Sequence, residues 1–136
     1  MNKVDRESAI SEINKWIDEI GYEDGHIESE PTLTDEMLIK SVMSGEVVFD
    51  ESGQLVVKLK HPIESKEGDP LHTELTFKHT VAVFEYNNAV KGVKADDADG
   101  RMLATIAVFT NVATSRINRL STKSYRVLQV IAGYLL

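Results

Sequence analysis

The chain of 136 residues has no cysteine. That absence excludes a disulfide framework, cysteine-based zinc sites and thiol catalysis, and it fits a reducing cytoplasm. An apolar leader is missing too. The first residues, MNKVDRESAISEINKW, mix acids and bases from the start, so they do not read as a signal peptide. No long hydrophobic run occurs anywhere. The most apolar stretch, STKSYRVLQVIAGYLL at residues 121–136, falls short of the roughly 20 residues a membrane span needs, and Lys123, Arg126 and Gln129 interrupt it. A soluble protein is expected. The last absence is of one charge sign: from Arg101 to Leu136 there is no Asp or Glu, while Arg101, Arg116, Arg119, Lys123 and Arg126 give +5. The first 100 residues carry 10 basic and 22 acidic side chains, or −12. Such a dipolar chain either neutralises itself within one fold or sets unlike surfaces of neighbouring copies together.

What is present is ordinary for a globular protein, with 42% apolar and 27% charged residues in a length that suits a single domain, 1–136. The pattern divides that domain into N-terminal helices at residues 1–45, a β-hairpin region at 46–78 and a helical part at 80–136. Ile10, Ile13, Trp16, Ile17 and Ile20 recur at spacings of three and four, which predicts an amphipathic helix over residues 5–20 stopped by Gly21. The acidic YEDGHIESEP reads as a loop. A second helix is expected from an N-cap at Thr34 to Gly45, with Met37, Leu38, Val42 and Met43 as its apolar residues. Two β-branched runs, Val47 to Phe49 and Leu55 to Leu59, surround a polar turn and predict a hairpin at residues 46–60. IESKEGDP reads as a polar loop, and a short third strand is expected near residues 74–78, with Leu75 and Phe77 on one face. Beyond Thr80, taken as an N-cap, come a helix ended by Gly92, a helix over about residues 100–112, a short turn through RINRL and a last helix capped by Ser121 or Thr122. The expected class is α+β, mainly α-helical: a helical bundle with a small antiparallel sheet.

Local signs of chemistry are few. ADDADG resembles the opening of a calcium loop, but aligning Gly100 with the fixed glycine puts the first ligand position on Ala95 and the bidentate acid on Ile106, so two oxygens are missing. Asp96, Asp97 and Asp99 suit the start of a helix better. His26, His61, His72 and His79 lack the helical i, i+4 pairing of a zinc site and read as surface residues of loops and strands. No nucleophile elbow, P-loop or dinucleotide fingerprint occurs. Neither a catalytic residue, nor a metal site, nor a cofactor site is assigned, and the chain is expected not to be an enzyme.

Arg116, Arg119, Lys123 and Arg126 are spaced by three, four and three, so on an unbroken helix they would share a face. One reading is a helix-turn-helix-like regulator whose basic 116–126 segment touches nucleic-acid phosphates. The Ser121-Thr122 pair, which breaks such a helix, and the −12 of the preceding residues favour a basic rim around a protein interface.

The order of elements, from a G-E-V-V-F-D-x-x-G-x-L-V-V-x-L hairpin through ELTF, a helix and an alanine-rich helix to INRLSTKSYRVLQVIAGYLL, resembles the tail assembly chaperones of long-tailed bacteriophages and prophages. Ile117, Leu120 and Ser121 match that family's I-x-x-L-S turn, and Ile131, Tyr134 and Leu135 match its terminal I-x-x-[FY]-L. The resemblance covers about two thirds of the chain, from the hairpin onward. It implies a non-enzymatic protein of the host cytoplasm, absent from the mature virion, that binds the tape measure protein and keeps its apolar helices soluble. It also implies a longer frameshifted product that recruits tail tube protein.

The last helix agrees with a binding role. At 100° per residue, its apolar set from Tyr125 to Leu136 spans about 240°, against the ~100° an ordinary surface helix needs. Either the helix is central to a bundle or it is shared with another chain. The residues expected at a partner surface are Tyr125, Leu128, Ile131 and Leu135, with Arg116, Arg119, Lys123 and Arg126 as a basic rim that meets an acidic surface of the next copy. Repeated head to tail, such a contact gives a homo-oligomeric ring or spiral.

Overall fold

Asp5 opens the first helix by accepting a hydrogen bond from Ser8 N at 2.7 Å. In the computed structural model, which describes residues 3–21, 27 and 30–135, this helix α1 spans Arg6–Ile20 and stops at Gly21, whose φ of +76° suits a residue without a side chain. Ala9, Ile13, Trp16 and Ile17 form its buried face. Most of the acidic loop that follows, His26 included, lies outside the described residues. Ile27 is described: it is buried, and its amide donates to Asn14 Oδ1 at 2.8 Å.

Helix α2 (Leu33–Met43) is capped by Thr32, two residues before the cap expected at Thr34. A capping box needs an acid three residues beyond the hydroxyl. Thr32 has Asp35 there, and the two exchange hydrogen bonds of 3.1 Å, whereas Thr34 has Met37. The next boundary moves for the same reason. Helix α3 (Val83–Val90) begins after Ala82 rather than Thr80, because Glu85 accepts a hydrogen bond from Ala82 N at 3.2 Å.

Strands β1 (Val47–Phe49), β2 (Leu55–Glu64) and β3 (Pro70–Phe77) form an antiparallel sheet in that order. Registers of Val47 with Val57, Val57 with Leu75 and Leu55 with Phe77 put these five side chains on one buried face. Lys58 pairs with Glu74 at the surface. β2 runs further than expected: Ile63 and Glu64 belong to the strand, beyond a register shift after Lys58, so only residues 65–69 of IESKEGDP make the turn.

Helices α4 (Ala98–Thr110), α5 (Thr114–Ile117) and α6 (Thr122–Leu135) complete the chain. Among the described residues this makes six helices and one three-stranded sheet, an α+β fold that is mainly helical. α6 lies across the middle, against α2, α4 and β2. No described helix is long and apolar enough to cross a membrane.

Candidate functional site

The I-x-x-L-S turn builds the floor of a surface groove. Ile117, in the single turn of α5, is fully buried, and Leu120 follows it half-buried, its amide bonded to Ile117 O at 3.0 Å. Ser121 Oγ then accepts from Ser124 N at 3.2 Å and donates to Ser124 Oγ at 3.1 Å, which starts α6 at a fixed angle. Across from this turn stands the beginning of α4. There Asp97 Oδ1 accepts from Gly100 N at 2.9 Å and caps the helix.

Between the two runs a groove of about 640 Å³, with Leu103, Ile117, Leu120 and Tyr125 as its apolar lining. Asp97 and Asp99 form one lip, Arg126 the other. Among the described residues neither Asp99 nor Arg126 enters an ion pair. Burial and, secondly, the Asp99 carboxylate raise the Tyr125 hydroxyl above its ordinary pKa. The volume lies within the range of sites that take a ligand or a few side chains of a partner.

The residues expected at a partner surface do not stay together. Leu128 and Ile131 are fully buried in the chain's own core, so they present nothing to a second chain. The reason is the central place of α6: buried residues from Tyr134 through Ile131, Ser124 and Leu128 to Ala132 take up about 160° of its circumference. Tyr125 and Leu135 are half-buried, and Leu136 lies outside the described residues. The basic residues part as well. Residues 118–121 separate α5 from α6, so the four do not form one helical stripe. Arg116 reaches the sheet, its Nη1 3.1 Å from His72 Nε2, while Arg119 and Lys123 stand exposed and Arg126 borders the groove. His79 is likewise engaged: its Nε2 lies 3.0 Å from Gly53 O and 3.4 Å from Glu19 Oε2, joining β3's end to the hairpin turn and α1.

Apolar side chains in water are the features that sequence reasoning missed. Val83 is 77% exposed and Phe84 68%, on an α3 that buries no residue at all. Leu33 is 87% exposed and Met37 36%, one turn apart on α2. Periodicity marks an apolar residue but not whether a neighbouring element covers it, so none of the four carries a local signal.

Comparison of the chain with models of known families, with curated proteins and with solved structures finds no match.

Proposed function

We propose that the chain is a non-enzymatic assembly chaperone of the phage tail type, which holds apolar helices of a tape measure protein in the host cytoplasm and self-associates while doing so. The resemblance of its hairpin and its INRLSTKSYRVLQVIAGYLL segment supplies the class of client. The observation that carries the reading is the apolar pair Leu33, largely in water, and Met37, partly so. They flank Asp35, which accepts the hydrogen bond of Tyr134 near the end of α6. Two apolar residues four apart on an exposed helix are the anchors with which helices recognise one another. Leaving them in water is a cost that a binding role explains.

Co-expression with the coiled-coil-rich product of a very long neighbouring gene tests this. The client should move into the supernatant and copurify with the chain. A chain carrying Leu33→Asp and Met37→Asp should still fold, melting somewhat below the parent because Met37 is partly covered, yet recover far less client. A client equally soluble without the chain would sink the proposal.

A further inference from the structure

Val83 and Phe84 and the groove lie at opposite ends of α4. Lys78 N donates to Phe109 O at 3.0 Å just before α3, and Val93, just after α3, stands close to Gly100 at the start of α4. α3 therefore runs antiparallel along α4. Its first residues sit by the last turn of α4, while the groove opens beside the first. From Gly100 in the groove to Phe109 beside the start of α3, nine residues of α4 separate the two places by about 14 Å at 1.5 Å per residue. One chain cannot place its own Phe84 in its own groove.

We infer that the groove between the start of α4 and α6 receives Val83 and Phe84 from a second copy of this chain. Each surface is apolar in the middle and carries charge of both signs at its edges, the groove with Asp97 and Asp99 on one lip and Arg126 on the other. Beside Val83 and Phe84, Lys78 and Glu85 lie 3.8 Å apart as a half-exposed pair. Around the floor of Leu103, Leu120 and Tyr125, Asp99 and Arg126 face solvent without ion-pair partners among the described residues. Setting Lys78 against Asp99 and Glu85 against Arg126 pairs all four charges while Phe84 leaves water. The reverse orientation brings like charges together, so the pattern also fixes direction. Knob and groove being different surfaces, the contact is heterologous: every copy added leaves one free knob and one free groove, and a chain of copies grows until its rotation closes. It accounts for the excess polarity of the sequence through Arg126 on α6 and the acidic start of α4.

The inference rests on the self-association half of the proposed function and needs no client. Its test uses the purified chain alone, by sedimentation velocity over a concentration series, with circular dichroism to check folding. Phe84→Asp changes an exposed knob residue and should weaken association about 30-fold. Asn118→Trp with Arg126→Glu changes exposed lining residues, closes the groove and should do the same. Mixed together, the two altered chains should form a one-to-one pair and nothing larger, because the Phe84→Asp chain keeps its groove and the other its knob. A parent chain monomeric at every concentration, variants that associate like the parent, or a mixture that forms no pair or forms larger species each overturns the contact. A monomeric chain that still holds its client overturns this inference and leaves the chaperone reading standing; a chain that assembles in this way but holds no client does the reverse.

Discussion

The Tyr134 hydroxyl donates to Asp35 Oδ1, while Asp35 Oδ2 accepts from Thr32 N at 3.1 Å. One carboxylate thus closes the capping box of α2 and ties down the end of α6, 99 residues away in sequence. Tyr134→Phe removes the tie and leaves the cap; a hydrogen bond to a charged, half-buried acceptor makes the expected loss about 1.5 to 3 kcal/mol. Asp35→Ala removes the tie and the carboxylate half of the capping box, while Asp35 N still donates to Thr32 Oγ1, and should cost up to about 1 kcal/mol more. Urea unfolding of the two variants distinguishes these outcomes. Equal losses would mean that the bond from Thr32 N to the Asp35 carboxylate contributes nothing.

Gly100 is a helix residue where alanine should be harmful. A Cβ there would stand 2.5 Å from Asp97 Oδ2 and 3.1 Å from Val93 Cγ1. Alanine gains up to about 1 kcal/mol of helix propensity, and the displaced Asp97 cap loses about the same. The crowding of Val93 then makes Gly100→Ala a net destabilisation. In an Asp97→Ala background the cap is already gone, so Gly100→Ala should become neutral or stabilising. A double-mutant cycle from thermal melts reads the difference, and equal effects in both backgrounds would remove the role assigned to Asp97.

Tyr125 sets an alkaline limit. Burial first and Asp99 second raise its pKa in the folded state above the unfolded value. The folded state therefore disfavours the phenolate: the stability linked to this group is present below about pH 10 and is lost as pH rises further. Tyrosinate absorbance should show one tyrosine titrating late. Asp99→Asn should bring it only part of the way back, because burial leads. A full return would reverse the order of the two causes.

Trp16 is the one tryptophan and is buried between Phe49, at 6.4 Å, and Tyr134, at 5.8 Å and nearly edge-on. Its Nε1 has no hydrogen-bond partner among the described residues. Trp16→Phe leaves no acceptor orphaned, so it should cost less than the 3 to 5 kcal/mol typical when a buried aromatic becomes alanine. Guanidinium unfolding of the phenylalanine and alanine variants checks this. A phenylalanine variant as unstable as the alanine one would show that the indole NH is paired in solution.

The parts legible in the sequence were those with strict local period. α1 could be read from Ile13, Trp16 and Ile17, and the hairpin from two β-branched runs around a glycine turn. Helix starts were less legible, because several hydroxyls compete for the cap, and the reciprocal bond of a capping box, open to Thr32 with Asp35 three residues on, is not open to Thr34 or Thr80. The groove could not be read. Its walls come from residues 97–103, 117–120 and 122–129, and only packing brings them together. The apolar arc of α6 was visible, but an arc does not say what fills it. Leu128 and Ile131 turn out to face α6's own chain.

An element without a buried residue also has little to hold it shut. The eight residues of α3 rest chiefly on α4 and bury no side chain fully, the apolar Tyr86, Ala89 and Val90 only in part, so less apolar surface opposes their opening than holds α1 or α6. Their amide hydrogens should exchange with solvent long before those of α1 or α6. Seating Phe84 in a second copy would slow that exchange in α3. Deuterium uptake by this one helix, followed as protein concentration rises, would then act as a clock for assembly.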